Sequence, residues 1–196
     1  MHRIFGVTAC VLVLSFAAAV SPAAAVCLDG TVLATYQTDG PYSGLYLYTI
    51  TLNFLLEKGL SNVTLDLGFS ECLEYACHQT FLFADPAGES PGEVANCPVM
   101  YVGEFNCAGN PSIDLTVPVV KWDVSVVSGC EPGTTGTATL RFYTNLGPDP
   151  NKELSLFLIK NGQEVCEGTL TGDAPVSPCS VPTRDARWGE IKSMYR

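Results

Sequence analysis

Alternation of apolar and polar side chains at every second residue is the dominant pattern of the chain. Tyr46, Tyr48, Ile50, Leu52 and Phe54 fall on one face of an extended segment, with Leu45, Leu47, Thr49, Thr51 and Asn53 on the other. That period of two predicts a strand with one buried side. Glu57, Lys58 and Gly59 read as a turn. Val63, Leu65, Leu67 and Phe69 then alternate with Thr64, Asp66 and Gly68, which predicts a hairpin partner for the first strand. Val120, Trp122, Val124 and Val126 alternate with Lys121, Asp123 and Ser125, and Ala138, Leu140 and Phe142 with Thr139, Arg141 and Tyr143. The clearest cue comes last: an apolar run over 154–160, then Asn161-Gly162, then renewed alternation over 163–171. Asn-Gly supplies two residues that tolerate the positive φ of a two-residue hairpin turn. Short strands with turn chemistry between them, and no convincing long helix, predict an all-β fold, an antiparallel immunoglobulin-like β-sandwich.

Residues 70–112 interrupt this rhythm with four cysteines and several Gly and Pro. They read as a long, disulfide-pinned excursion with two short strands, around 81–83 and 99–105. Loops of that length are uncommon unless stapled or functional, so this is the first place to look for a site.

The first 25 residues have the form of a cleavable leader. Arg3 gives a short positive start, residues 4–20 are almost uninterruptedly apolar, and Ala23-Ala24-Ala25 offers the small side chains of a cleavage site before Val26. The domain organisation that follows is a signal peptide over 1–25, a disulfide-rich β domain over 26–182 and a tail over 183–196. Export places the protein outside the cytoplasm, secreted or at the cell surface. There an even set of cysteines reads as disulfides: Cys27, Cys72, Cys77, Cys97, Cys107, Cys130, Cys166 and Cys179. Eight cysteines allow roughly a hundred pairings, and the sequence does not choose among them. Cys72 with Cys77, and Cys97 with Cys107, are near enough to close small loops, whereas Cys27 and Cys179 flank the body and can clasp its ends. No C-x-x-C pair is present to suggest structural zinc.

Charge is strongly segregated. Residues 26–182 hold five basic against eighteen acidic side chains, a net of −13. The last fourteen carry Arg184, Arg187, Lys192 and Arg196 against Asp185 and Glu190, a net of +2. An acidic body repels phosphate backbones and anionic lipid, so nucleic acid is excluded as a partner and no stable membrane insertion is expected once the leader is gone. Extracellular or cell-surface proteins and glycans remain. The tail can form a short amphipathic helix with Trp188, Ile191 and Tyr195 on one side.

Two resemblances follow from particular runs. The run 119–123 (VVKWD), then 136–142 (GTATLRF), 158–163 (LIKNGQ) and 168–172 (GTLTG) ahead of Pro178-Cys179 resembles a β-sandwich domain recurring in exported bacterial proteins. The likeness covers most of residues 45–179 and implies fold and extracellular destination, with no catalytic or binding residues attached. Residues 188–196 (WGEIKSMYR) are similar to short tails that end several exported bacterial proteins. This likeness implies an address or docking peptide built on Trp188, Ile191 and Tyr195.

Candidate chemistry is sparse. Glu71, Glu74 and His78 share a face if their segment is helical and can then ligate a metal or pair acid with base, although Cys72 and Cys77 lie between them. Asp149, Asn151 and Glu153 alternate like early calcium ligands, but Leu154 and Lys160 stand where an EF-hand needs Gly and Glu. His78 is the one histidine after the leader, and no G-x-S-x-G elbow, phosphate loop or dinucleotide fingerprint occurs. Tyr42, Tyr46, Tyr48, Tyr101, Trp122 and Tyr143 can stack on sugars where they face solvent; alternation puts Trp122 in the core and Tyr143 outside with Arg141. The expected function is a non-enzymatic exported module with a structural, adhesive or display role and no cofactor. The alternatives are a carbohydrate-binding module and, further off, a hydrolase using paired carboxylates.

Overall fold

The computed structural model describes residues 27–56, 59–92, 97–125, 130, 132–160 and 163–179. The leader, the Glu57-Lys58 and Asn161-Gly162 turns, Val126, and the tail with Trp188, Ile191 and Tyr195 lie outside the described residues.

Twelve strands are described: β1 (Leu28–Tyr36), β2 (Tyr46–Leu55), β3 (Asn62–Asp66), β4 (Phe81–Leu82), β5 (Gly88–Pro91), β6 (Pro98–Asn106), β7 (Val119–Ser125), β8 (Thr135–Thr144), β9 (Pro148–Asp149), β10 (Leu154–Lys160), β11 (Gln163–Gly172) and β12 (Ala174–Pro175). One short helix, α1 (Leu73–Ala76), follows a 3-10 turn at Ser70–Cys72. The all-β expectation holds, but the architecture differs from a sandwich of two sheets. Strands β2-β1-β11-β10-β3-β7-β6-β5-β8 form one continuous sheet, and β8 pairs back onto β2, so the sheet closes in a barrel-like ring. Nine staves cannot alternate direction all the way round. One neighbouring pair must run parallel, and that pair is β1 with β11. Closure is what removes the free edges that two separate sheets would expose.

The alternating residues line the interior. Tyr48, Ile50, Leu52 and Phe54 of β2, Ala138, Leu140 and Phe142 of β8, Val120 and Trp122 of β7, and Val63 and Leu65 of β3 are all buried in one core. The strands on either side of Asn161-Gly162 pair as expected, with Lys160 opposite Gln163 and β10 antiparallel to β11. The expected hairpin between residues 46–54 and 63–69 is not formed. Strand β3 instead lies between β7 and β10, because both flanks of β2 are taken by β1 and β8.

The supposed excursion over 70–112 contributes two staves. Strand β6 is nine residues long, and β5 joins it to β8. Strand β5 escapes the apolar pattern because its inward residues are Gly88 and Ser90, and a Cβ on Gly88 would meet Leu140 at 2.6 Å. Strand β1, also unmarked by the sequence pattern, carries Gly30 and Ala34 at inward positions.

The cysteine pairing is long-range: Cys27–Cys166, Cys72–Cys179, Cys77–Cys107 and Cys97–Cys130. The small loops Cys72/Cys77 and Cys97/Cys107 do not form, and Cys27 and Cys179 each clasp another part of the body rather than one another. Strand pairing, not proximity in sequence, sets which sulfurs meet. Four disulfides fit an oxidising, extracytoplasmic compartment. No described helix is long and apolar enough to cross a membrane.

Candidate interaction surface

Two walls of the barrel are finished differently. Outside β3, Thr64 is fully buried beneath the segment around the 3-10 turn Pro111–Ile113. Asn110 donates from Nδ2 to Thr64 Oγ1 at 2.8 Å and accepts at Oδ1 from the Ser112 N–H at 3.1 Å, while Thr64 donates to Asn62 Oδ1 at 3.3 Å. Every buried polar group in this seal has a partner, as burial requires.

Outside β1, β2, β8 and β4 no comparable hydrogen-bonded seal lies over the strands among the described residues. Register places Thr35, Leu47, Tyr143 and Leu82 side by side across those four strands, and Leu33, Thr49 and Arg141 in the next row. A third row is polar: Thr171, Thr31, Thr51, Thr139 and Glu89. The loop 37–45 between β1 and β2 folds back, so that Tyr42 stacks on Tyr143 with ring centroids 3.9 Å apart. Leu33 is 62% exposed and Leu82 42%. Beyond β4 no ladder joins it to β6 among the described residues; instead Phe81 stacks on Phe105 at 4.1 Å, and Phe83 lies directly against Gly103. An open recess lined by Phe83, Asp85, Ala87, Tyr101 and Val102 marks this seam, and Val102 is 60% exposed on its rim. Together Leu33, Leu47, Tyr42, Tyr143, Leu82 and Val102 make an apolar band on the outer wall of an otherwise acidic body. Contiguous exposed apolar surface of this kind marks interaction sites.

Charged groups frame the band as surface pairs. Arg141 Nη2 lies 3.4 Å from Glu89 Oε1. Lys121 Nζ lies 2.8 Å from Asp123 and 3.5 Å from Glu104. Burial works against the Lys121 charge, but those two carboxylates outweigh it and raise its pKa above the ordinary lysine value. Lys152 is the opposite case, its pKa lowered by burial. It donates to the carbonyls of Leu67 and Pro175 and lies 4.4 Å from the centre of the Phe69 ring, tying the segment before β10 to the segment after β3 and to β12.

The sequence candidates are dispersed by the fold. Tyr48, Tyr101 and Trp122 are core residues at 0–2% exposure, Tyr46 sits at a barrel end against Tyr36, and only Tyr42 and Tyr143 come together on the outer wall. Glu71 lies on the 3-10 turn and Glu74 on α1, with exposed His78 just beyond. Asp149 accepts from the Asn151 N–H at 3.0 Å and so shapes its own loop. No group of three His, Cys, Asp or Glu among the described residues is placed to hold a metal. Leu33, Leu82 and Val102 were not singled out by the sequence; each is an apolar residue at an outward position, visible as a pattern break once its strand is known.

No protein-family model and no curated protein matches the chain. Among solved structures it is similar to the GH20 exo β-N-acetylglucosaminidase of Vibrio harveyi, crystallised with N-acetylglucosamine, at 14% identity and a TM-score of 0.36. That likeness covers 77% of this chain and 18% of the enzyme, so the chain spans under a fifth of that protein's length. A superposition this loose carries no argument about fold or chemistry.

Proposed function

We propose that the chain is a non-enzymatic exported module whose β-barrel presents its outer wall for adhesion at the cell surface. The apolar band across β1, β2, β8, β4 and β6 supports this reading, because the interior is filled by side chains and the band brings exposed Leu33, Leu82 and Val102 together with half-buried Tyr42, Leu47 and Tyr143. The domain limits, the leader over 1–25 and the kinship with exported bacterial β domains belong to the same proposal. A glycan is the second choice of partner. It is favoured by the Tyr42–Tyr143 stack beside the hydroxyls of Thr35 and Thr49, the combination of flat ring and hydrogen-bonding rim that sugars use.

Co-sedimentation of the purified chain with isolated cell envelopes tests the reading. Leu82→Glu with Val102→Glu should cut the bound fraction about tenfold, the loss expected when two central apolar contacts of an interface are charged, with melting unchanged. Competition by soluble envelope polysaccharide identifies the glycan case. Equal sedimentation of wild type and double variant refutes the band as the binding surface.

A further inference from the structure

A second exposed surface lies at α1. This element is pinned at both ends, through Cys72 to Cys179 and through Cys77 to Cys107. Cys72 and Ala76 turn inward at 3% and 0% exposure, leaving Leu73 at 44% and Tyr75 at 61% on the outside. Glu71 and Glu74 flank them, exposed, and neither carboxylate has a cationic partner among the described residues. The result is a ledge with two apolar side chains and two free acids.

The bond that fixes Cys72 also fixes where the chain leaves the described body. Cys179 has its Cα 5.7 Å from that of Cys72 and its Sγ 4.0 Å from the Glu71 carbonyl oxygen. Residues 180–196 therefore start at the foot of the ledge. Their chemistry is its complement: Arg184, Arg187 and Lys192 interleaved with Trp188, Ile191 and Tyr195, a net of +2 beside a body of −13. We propose that segment 180–196 docks intramolecularly on this ledge, its aromatic and aliphatic side chains covering Leu73 and Tyr75 and its arginines meeting Glu71 and Glu74. A short tether gives the segment an effective concentration on the order of millimolar at the ledge, so contacts too weak to hold a separate peptide suffice here. Docking conceals the aromatic groups that a receptor for this segment would have to read, and weakening the charge pairs with salt exposes them.

The chain has two tryptophans, Trp122 and Trp188, and Trp122 is fully buried, so acrylamide quenching of the full chain reports Trp188. A Trp188→Phe variant gives the Trp122 baseline, and a synthetic peptide of residues 180–196 gives the free limit. Trp188 should be shielded in the full chain at low salt. Leu73→Glu with Tyr75→Ala, and separately Glu71→Lys with Glu74→Lys, should each raise its quenching constant about fivefold, the change from a segment docked four-fifths of the time to one that is free. All four positions are exposed, and unchanged Trp122 emission confirms the fold. Quenching of the wild type at the peptide's rate overturns the proposal and leaves the segment open to a receptor. Shielding that survives in both variants, or that grows with protein concentration, overturns it in favour of another site or a second copy.

Discussion

Tyr48 and Tyr101 show how single side chains set the limits of this fold. Alternation puts Tyr48 on one face with Tyr46, Ile50, Leu52 and Phe54 without saying which face is covered, and the barrel buries it with its hydroxyl donating to the Leu146 carbonyl at 3.1 Å. Tyr101 lies inside β6 with its hydroxyl 3.3 Å from Ser90 Oγ. Burial raises both phenols above their ordinary value of 10.0, and for Tyr48 the nearby Asp173 charge adds to it. In the unfolded chain both ionise near 10, so the unfolded state sheds protons that the folded state keeps. Their contribution to stability is complete below pH 10 and is lost as pH rises above it. Tyr101→Phe should raise the pH of alkaline unfolding while costing about 1 kcal/mol at neutral pH for the lost Ser90 hydrogen bond. Tyrosinate absorbance followed alongside circular dichroism checks this; full ionisation with the dichroism intact would show that burial does not hold these two protons.

At the level of elements, what the sequence reveals depends on whether the information is local. The β10–β11 hairpin is written in seven residues, a turn and nine more, and it forms as expected. The two faces of β2, β7 and β8 are likewise legible, because period two needs no knowledge of partners, although for β2 the pattern does not say which face is covered. Pairing is different: β3 looked like the partner of β2 through adjacency, yet β2 is enclosed by β1, which precedes it, and β8, some ninety residues on. Strand β5 was unreadable because the wall there is too crowded for apolar side chains, so Gly88 and Ser90 serve as its inward residues. The candidate surface shares this fate, since Leu33, Leu47, Tyr143 and Leu82 adjoin only through register across four strands. The seam between β4 and β6 is the element most dependent on a close approach, with Phe83 lying where a Gly103 side chain would stand. Gly103→Val should expel Phe83, open the seam and cost about 1–3 kcal/mol. The urea midpoint measures the cost, and loss of amide protection confined to β4 and β6 locates it. Undiminished stability would mean that Phe83 repacks and that the seam does not depend on this contact.

For the whole molecule, closure rests on its shortest joints, and the parallel one carries a clamp of its own. Eight of the nine neighbouring pairs in the ring are antiparallel. The exception, β1 with β11, has a ladder of two residue pairs, Thr31 with Thr171 and Val32 with Gly172, as short as the ladder of β5 with β8. Cys27 immediately precedes β1 and Cys166 lies within β11, so the disulfide between them clamps the other end of this parallel joint. It also closes the largest loop, with a separation of 139 residues against 30 for Cys77–Cys107. No sequence rule could pair these two sulfurs, since they meet only after the ring has formed. In the chain-entropy account, constraint of the unfolded state grows with the logarithm of loop length, giving about 5 kcal/mol for the longer loop and about 3.6 for the shorter. Cys27→Ser with Cys166→Ser should therefore destabilise the protein by about 1 kcal/mol more than Cys77→Ser with Cys107→Ser, with amide protection lost first along β1. Denaturant titration of the two double variants under oxidising conditions measures the difference. If the Cys77–Cys107 variant proves the less stable, the parallel joint is held by the packing of Leu28, Val32 and Leu170 rather than by its sulfur clamp.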